Sequence, residues 1–533
     1  MERLICPAEA LTAHRRINET DRPYPSQSSI KELFERCAED FGGRTAIVHG
    51  AEALTYRDLN RLANGMASDL RQQGVTPGDC VALSVGRSPE LIVSLLAIIK
   101  CGASYLPLDA SWPRSLLAKI LDAVDCRLVL LGQGRSPAVR LPAERLLTVG
   151  LSRLAQIDVN PSADVGAEAI AYINFTSGTT GDPKGVPIQH RSIARLVFDA
   201  VYAPLDENSV LLHLSPVTFD AATFEIWGAL LHGGTCVLYP PAHLRFSALR
   251  QVVRDAGVSV AFVTTALFNA VLDEAPDTLD MVGTILTGGE RYSQRRMSEA
   301  LRRYGPGRLV HVYGPTECTT FATYHPVNEV PDEPGKLPIG KPIQNTRVYL
   351  AQDNRLCRPG DIGEILIAGP GLSPGYLGAA NGGPTAFSEY DIGGVVERVY
   401  RTGDYGYLLG SGELIFEGRR DDQVKVSGFR IEMAELSRVI GDHPRVRQSY
   451  ITVAEAMAGD KKIVAFVVGY ASGLTVPEVL EHIQARVPPY MVPSIVQLCD
   501  QLPLTASGKV DRRALLASCP VRLSEPAEEK PPE

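Results

Sequence analysis

Short apolar runs alternate with segments of helical apolar spacing between about residues 165 and 320. This alternation is typical of a mostly parallel β-sheet that is covered by helices. The predicted strands are Ala169–Phe175, Val210–Leu214, Val258–Val263, Thr284–Leu286 and Leu309–Val312. The predicted helices are Leu249–Ala256, Ser293–Tyr304 and a segment with Ile193, Leu196, Val197 and Val201 on one face.

The pattern changes after about residue 405, where a hairpin around residues 410–412 is followed by a strand at Gln423–Val426. Helices beginning at Met433 and Val476, with apolar strands between and after them, predict a separate small domain. The predicted fold class is therefore α/β, with a large N-terminal domain of α/β sheets and helices over residues 1–420. A small, mobile α+β C-terminal domain is predicted over residues 421–519, and residues 520–533 are predicted to be a disordered tail.

The composition is that of a soluble globular protein, with 45% hydrophobic and 21% charged residues over 533 positions. The net charge of −8 gives no reason to expect a nucleic-acid or membrane partner. The apolar run from Leu91 to Ile99 is about half a bilayer span and is predicted to be a buried helix. The ten cysteines occur singly and the N-terminus lacks a secretory pattern, so a cytoplasmic enzyme without a zinc site is expected.

The sharpest local signal is the phosphate loop, residues 176–185, which lies between a predicted strand and a predicted helix. Its glycines let backbone N–H groups approach phosphate oxygens, its hydroxyls add donors, and Lys184 adds a positive charge. The Walker A spacing is absent, so a P-loop NTPase is disfavoured, and a flexible surface turn is the alternative. The residues predicted to bind the phosphates are Thr176, Ser177, Gly178, Thr179, Thr180, Gly181 and Lys184.

Further blocks follow one another along the chain. They are Leu54-Thr55-Tyr56, Tyr105-Leu106-Pro107-Leu108-Asp109, Tyr313-Gly314-Pro315-Thr316-Glu317, Gly363-Glu364, Tyr400-Arg401-Thr402-Gly403-Asp404, Gln423-Val424-Lys425 and Leu504-Thr505-Ala506-Ser507-Gly508-Lys509. In this order, and with the phosphate loop, they resemble the adenylate-forming superfamily and, within it, the adenylation domains of non-ribosomal peptide synthetases. The resemblance covers nearly all of residues 28–515.

The resemblance implies that ATP and Mg²⁺ bind in the large domain. Tyr313 would stack on adenine, Thr316 would contact the phosphate, and Glu317 would help to hold Mg²⁺. Asp404 would accept the ribose hydroxyls with Arg419 nearby. These roles suit the residue types, because a carboxylate accepts two hydroxyl donors well and a hard cation prefers carboxylate oxygen. The alternatives are a helix N-cap for Glu317 and a turn aspartate for Asp404.

A substrate carboxylate is already a nucleophile at neutral pH, so catalysis is expected to be positioning plus neutralisation of developing charge. The resemblance implies that Lys509, on a loop of the small domain, reaches the substrate carboxylate and the phosphate. It also implies catalytic roles for Glu317, Thr316 and Lys184, a place for Gly289 in the ATP site, and a hinge at Asp421. Residues 425–428 would line the path of a pantetheine thiol after the small domain rotates.

Asp220 matches the position where the amino-acid-activating members of the family keep an aspartate that pairs with the α-ammonium. A buried aspartate without a cationic partner would be costly, so an α-amino acid is the predicted substrate. An N-cap role for the following helix is the alternative. The remaining aligned pocket residues are Ala221, Phe224, Phe262, Leu286, Gly288, Val312, Thr320 and Phe321.

This pocket set contains no charged residue, so it predicts an apolar side chain, and it resembles pockets for valine and isoleucine. 2-Aminobutyrate is a further candidate, because one methylene in an apolar pocket is worth only about 1–3 kcal/mol. The predicted acyl acceptor is the phosphopantetheine thiol of a separate carrier protein, in a freestanding chain. The rival hypotheses are an acyl- or aryl-CoA synthetase of the same fold and a catalytically inactive homologue that serves as a binding module.

Overall fold

A computed structural model describes residues 2–134, 142–176, 183–240, 244–290, 294–330, 337–377, 386–419, 423–426, 428–456, 461–470, 473–503, 510–519 and 523–524. The first large sheet runs through the predicted α/β region. Its central strands are parallel and its edges antiparallel. In order across the sheet, the strands are β16 (Lys341–Pro342), β15 (Thr323–Pro326), β14 (Leu309–Tyr313), β13 (Thr284–Gly288), β12 (Val260–Thr264), β10 (Val210–His213), β11 (Thr235–Leu238), β2 (Thr45–His49) and β3 (Glu52–Thr55).

A second large sheet carries the strand that leads into the phosphate loop. The predicted strand Ala169–Phe175 forms here as β8, and not in the same sheet as the other predicted strands, because apolar periodicity does not specify the pairing partner. In order, the strands are β7 (Leu146–Thr148), β6 (Cys126–Leu131), β4 (Cys80–Ser84), β5 (Ser104–Pro107), β8 (Ile170–Thr176) and β9 (Lys184–Gln189).

The two large sheets are joined by helices packed between them. Buried side chains of both sheets form one apolar cluster with helices α3 (Tyr56–Gln72), α4 (Pro89–Lys100), α6 (His190–Val197) and α7 (Ala221–Leu230). Helix α4 contains the predicted buried helix Leu91–Ile99, and every residue of α4 except Glu90 is buried. The other helices of this part of the chain are α1 (Ala8–Ile17), α2 (Ile30–Asp40), α5 (Arg114–Ala123), α8 (Phe246–Asp255), α9 (Thr265–Glu274) and α10 (Gln294–Tyr304).

A third, mostly antiparallel sheet completes the large domain and ends next to the small one. The predicted hairpin around residues 410–412 is confirmed by the pairing of its last two strands. The strands are β1 (Glu2–Arg3), β20 (Phe387–Ile392), β21 (Val395–Leu408), β19 (Gly363–Ala368), β17 (Arg347–Gln352) and β18 (Arg355–Leu356), with β22 (Leu414–Arg419) beside β21.

The small C-terminal region has its own apolar core and an α+β arrangement, as the sequence predicts. Its helix α12 begins at a capping box in which Thr475 and Glu478 each satisfy a backbone N–H of the first turn. The strands are β23 (Gln423–Val426), β24 (Phe429–Glu432), β25 (Val446–Ala456), β26 (Lys461–Gly469), β27 (Ile495–Leu498) and β28 (Leu523–Ser524), and the helices are α11 (Met433–Gly441), α12 (Val476–Gln484) and α13 (Arg512–Ala517).

Two further details of the predicted elements are wrong. Helix α6 ends at Val197, so Val201 lies beyond it, because Phe198 has an extended backbone that breaks the helical hydrogen bonding. Within the predicted disordered tail, Leu523–Ser524 form a short strand on β25, because the backbone groups at its edge accept a further partner. The rest of the predicted tail lies outside the described residues.

Candidate active site

The site lies beyond the carboxyl ends of the parallel strands β12, β13 and β14, where open α/β sheets collect their ligands. The strand register places Phe262 beside Leu286, and Gly288 beside Val312. A side chain at Gly288 would come within 2.2 Å of the carbonyl oxygen of Val312, so only glycine allows the two strands to approach here. The register therefore brings together pocket residues that are far apart in the sequence.

The predicted pocket residues form a packed aromatic and aliphatic lining. The ring centroid of Phe321 lies 5.5 Å from that of Phe224 and 5.7 Å from that of Phe262. Such tilted ring pairs stabilise each other beyond their simple burial. All of the aligned side chains except that of Asp220 are buried, including those of Ala221, Leu286, Val312 and Thr320. The structure thus joins Phe262 to the same cluster as the other pocket residues.

Asp220 lies at the opening of this lining, just before helix α7. Its side chain does not cap that helix, so the N-cap alternative is not supported. One carboxylate oxygen accepts a hydrogen bond from the Thr316 hydroxyl at 2.7 Å, and the Asp220 carbonyl accepts one from Thr320 at 2.9 Å. Asp220 is half-buried, and the loss of water around its carboxyl raises its pKa to about 6, against the Thr316 hydrogen bond and the positive charge of Lys425, which lower it.

On the other side of the cleft, Tyr313 and Arg419 converge on Asp404. The Tyr313 hydroxyl donates to one carboxylate oxygen of Asp404 at 2.5 Å, and Arg419 donates to the other at 2.5 Å. Asp404 and Tyr313 are both buried. Antiparallel pairing of β21 with β22 sets Asp404 directly opposite Arg419. The predicted proximity of Arg419 to Asp404 is therefore present, although two protein donors already contact the carboxylate.

Glu317 and Lys184 are connected through Tyr376, a residue that the sequence did not single out. The Tyr376 hydroxyl donates to Glu317 at 2.6 Å, and the Lys184 ammonium lies 5.3 Å from the centre of the Tyr376 ring. Glu317 is buried in a short 3₁₀ turn that follows β14. Its carboxylate oxygen suits a hard cation such as Mg²⁺, which takes few protein ligands and completes its shell with phosphates and water. In the part of the chain that the structure describes, no group of three or more acidic, histidine or cysteine side chains is arranged for a metal.

The hairpin of β23 and β24 in the small region touches the same cleft. The Gly428 backbone N–H donates to Glu290 at 2.6 Å, and the Lys425 ammonium lies 5.6 Å from the centre of the Tyr313 ring. A cavity of about 240 Å³ opens beside this hairpin and is bounded by Phe219, Asp220, Phe429 and Tyr490, among others. Phe429 and Tyr490 stack with their ring centroids 4.2 Å apart. Thus the small region contributes an aromatic wall to the opening of the site.

Several predicted site residues lie outside the described residues. They are Ser177, Gly178, Thr179, Thr180 and Gly181 of the predicted phosphate loop, the predicted hinge residue Asp421 and the predicted catalytic residue Lys509. At the two ends of the loop, Thr176 ends β8 and Lys184 begins the neighbouring strand β9. Gly289 has a left-handed backbone, with φ of 98°, next to Gly428 of the small region.

Sequence reasoning also missed Tyr202, which packs against the pocket lining. Tyr202 packs edge-on against Phe321 with the ring centroids 5.5 Å apart, and its hydroxyl donates to the Leu196 carbonyl. Glu290 follows the Gly288-Gly289 pair at the end of β13, and its position after a predicted strand indicates the cleft without assigning it a role. No local pattern distinguishes Tyr202 or Tyr376 from other tyrosines, because their contacts come from distant segments.

Two family models match the chain. The AMP-binding enzyme model covers residues 34–377, and the AMP-binding enzyme C-terminal domain model covers residues 435–509. The chain therefore belongs to the AMP-binding enzyme family.

Among curated proteins, the chain is 38% identical over 507 residues to bacitracin synthase 1 of Bacillus licheniformis, covering 93% of this chain and 10% of that protein. It is 35% identical over 508 residues to tyrocidine synthase 3 of Brevibacillus parabrevis, covering 93% of this chain and 8% of that protein. The chain thus spans a small fraction of the length of these relatives.

Solved structures give matches of similar length. One is an NRPS protein containing adenylation and PCP domains, bound to a vinylsulfonamide inhibitor. It matches with a TM-score of 0.85 at 35% identity, covering 92% of this chain and 84% of that chain. An artificially fused adenylation-PCP di-domain from Klebsiella oxytoca matches with a TM-score of 0.81 at 25% identity, covering 88% and 86%. These matches confirm the predicted α/β class with a large N-terminal and a smaller C-terminal domain. Separately, no helix within the described ranges is long and apolar enough to cross a membrane.

Proposed function

We propose that the protein activates a small aliphatic L-amino acid, namely valine, isoleucine or 2-aminobutyrate, and transfers it to the phosphopantetheine thiol of a carrier protein. The observation that carries the proposal is the position of Asp220 at the opening of a buried, uncharged lining. A carboxylate there suits an α-ammonium group, while the lining suits an apolar side chain. The packed rings of Phe224, Phe262 and Phe321 limit the depth available to that side chain.

In the proposed first step, a substrate carboxylate oxygen attacks the α-phosphorus of ATP and pyrophosphate leaves, which yields the aminoacyl adenylate. The chain's contribution is positioning and charge neutralisation. Lys184 supplies positive charge at the end of the phosphate loop, and Lys509 is the proposed contact to the reacting carboxylate and phosphate. Mg²⁺, when bound with the nucleotide, would neutralise phosphate charge, and Glu317 is the residue proposed to hold it.

On the nucleotide side, we propose that adenine stacks on Tyr313 and that Asp404 accepts the ribose hydroxyls. Each Asp404 oxygen has a protein donor in the structure, and a carboxylate oxygen has room for a second. Thr316 is the proposed phosphate contact, yet its hydroxyl proton is committed to Asp220. When the Thr316 hydroxyl donates its hydrogen bond to a phosphate, Asp220 loses that donor. The ammonium group of the substrate would then donate to the Asp220 carboxylate in its place.

In the proposed second step, the pantetheine sulfur attacks the acyl carbonyl and AMP leaves. The cavity between Phe219, Phe429 and Tyr490 supports a route for a long narrow arm, since it opens beside Asp220. Glycine at position 428, with φ of 83°, keeps the hairpin close to Thr264 and Glu290. The use of ATP favours the cytoplasm as the place of this reaction.

Amino-acid-dependent exchange of pyrophosphate into ATP, measured with a panel of acids, tests the proposal. Valine, isoleucine and 2-aminobutyrate should outperform aromatic and charged amino acids, and fatty and benzoic acids should give no exchange. Better exchange with fatty or benzoic acids would establish the CoA-synthetase alternative. Lys509→Ala should abolish adenylate formation. If the unmodified protein shows no exchange with any acid, a binding module is favoured instead. A purified carrier protein supplied in trans tests the acceptor.

A further inference from the structure

Arg195 is a fully buried arginine on helix α6, and the proposed chemistry does not use it. Its guanidinium donates to the Phe321 carbonyl at 2.9 Å, to the Cys318 carbonyl, and to the Thr346 hydroxyl at 3.3 Å. Among the described residues, these partners are uncharged oxygens. A buried charge without a carboxylate partner is costly for a fold, so its contacts call for a physical explanation.

The segment that Arg195 contacts has an unusual backbone. Thr319 and Thr320 both have left-handed φ angles, 59° and 69°. A β-branched residue in this region is an outlier, and such a backbone persists only where surrounding contacts over-determine it. The two carbonyls bound by Arg195 belong to Cys318 and Phe321, which stand immediately before and after the two threonines. One guanidinium therefore spans the strained pair.

The same segment carries the proposed amino-acid site. Thr320 donates to the Asp220 carbonyl, and the Phe321 ring lies at the centre of the aromatic lining. The Thr319 hydroxyl donates to the Gly371 carbonyl at 2.8 Å, which ties the segment to a third part of the chain. The side chains of Thr320 and Phe321 project from this backbone. Their positions therefore depend on the contacts that hold residues 318–321.

The space for Arg195 is itself provided by Gly371. A Cβ atom at position 371 would lie 1.7 Å from a terminal nitrogen of the Arg195 guanidinium. Glycine at this position thus leaves the tip of the arginine free to reach the Cys318 carbonyl. A methyl group there would displace the flexible tip without removing its charge.

We propose that Arg195 is a positioning residue for amino-acid selectivity, which holds the backbone of residues 318–321 so that Thr320 and Phe321 shape the side-chain pocket. This inference rests on the proposed amino-acid activation. Arg195 touches no substrate in the proposed reaction and acts through the two carbonyls that it binds. Its loss should therefore affect recognition of the amino acid far more than recognition of ATP.

The test compares Arg195→Lys and Gly371→Ala with Arg308→Lys in the full chain, using pyrophosphate exchange and thermal unfolding. Arg308 is a matched control, because it also donates to main-chain carbonyls, those of Leu279 and Val282, but near the start of β14. Arg195→Lys and Gly371→Ala should each raise KM for valine about tenfold, with KM for ATP changed by less than about threefold. They should also reduce the preference for valine over 2-aminobutyrate. Arg308→Lys should lower the unfolding temperature with both KM values unchanged.

The inference is overturned if Arg195→Lys and Gly371→Ala raise both KM values by the same factor, or if selectivity falls no more than in Arg308→Lys. If Arg195→Lys does not fold, Gly371→Ala tests the role of Arg195, because this variant retains the arginine and displaces only its tip. Failure of the underlying function is seen separately, since the unmodified protein would then show no exchange with any aliphatic amino acid. If the unmodified protein shows normal exchange but the variants keep its ratio of KM for valine to KM for ATP, the role of Arg195 is contradicted and the proposed function is not.

Discussion

The two sides of the cleft are held together in different ways. Around Phe321, the proposed amino-acid side consists of buried rings packed at centroid distances of 5.5–5.7 Å. Around Asp404, the other side consists of charged and hydroxyl groups joined at 2.5 Å. A pocket of packed rings is sensitive to the volume of the side chain that enters it. A hydrogen-bonded charged group is weakened when one of its partners is removed. Selectivity for the acid should therefore follow pocket volume, and affinity for the nucleotide should follow charge.

Asp220→Asn should have the largest effect, because Asp220 is the charged group of the packed side. Removing one member of a buried charge pair costs about 3–5 kcal/mol, so KM for the amino acid should rise by roughly 10² to 5 × 10³-fold. KM for ATP should stay within about twofold of that of the unmodified enzyme. Pyrophosphate exchange measures both constants, with Asp199→Asn, an exposed ion pair to Arg22, as the control. An equal rise of KM for the amino acid and of KM for ATP would contradict separate binding of the two substrates by the two sides.

Asp404→Asn should produce the reverse pattern on the nucleotide side. The amide keeps the shape of the side chain but weakens hydrogen bonds to a charged group, each worth about 1.5–3 kcal/mol, so KM for ATP should rise about 10- to 100-fold. KM for valine should change little. Glu397→Gln is the matched control, since Glu397 also pairs with an arginine, Arg347, but outside the cleft. A larger rise of KM for valine than of KM for ATP would contradict the assignment of Asp404 to the nucleotide side.

The pKa of Asp220, about 6, predicts a pH dependence of amino-acid recognition. The groups whose charge or hydrogen bonding acts on Asp220 are Thr316, Lys425, Glu317 and the backbone N–H of Ala221. Below pH 6 the carboxyl is neutral and cannot pair with an ammonium, so kcat/KM for valine should fall about tenfold per pH unit. Asp220→Asn should remove this dependence, and profiles recorded from pH 5 to 8 for both proteins check it.

Stability of the ligand-free protein should show the opposite trend from the same residue. Because the pKa of Asp220 in the folded protein is raised above its ordinary value of 3.8, protonation favours the folded state. This contribution is present at low pH and is lost as pH rises through about 6. A difference in unfolding free energy between the unmodified protein and Asp220→Asn that does not vary with pH would show that folding does not raise the pKa of this carboxyl.

Val312→Ala should have the smallest effect, confined to selectivity. It enlarges the lining beside Gly288, and a methylene in an apolar pocket is worth about 1–3 kcal/mol, so the preference should shift several-fold toward a larger aliphatic acid such as leucine. Val263→Ala is the matched control, because Val263 is equally buried but packs on the other face of the same sheet. Exchange rates with valine, isoleucine and leucine measure the shift. An equal shift in Val263→Ala would indicate general loosening of the sheet.

Much of the fold could be predicted because its signals are local. The strand Gln423–Val426 and the helices beginning at Met433 and Val476 were predicted with these boundaries, since apolar spacing and the capping box act within a few residues. The assignment of β8 to the wrong sheet has the converse reason. Its apolar run is equally compatible with either sheet, and the choice depends on long-range pairing with β5.

The sequence by itself determined the family, the blocks of residues at the site and the uncharged character of the pocket, because each depends on which residue types occur in a fixed order. Only the tertiary structure decided how these residues are held. The contacts of Tyr376 with Glu317, of Tyr202 with Phe321 and of Arg195 with the Phe321 carbonyl join segments separated by 59 to 126 positions. Such contacts depend on strand register and helix packing, which no local pattern encodes.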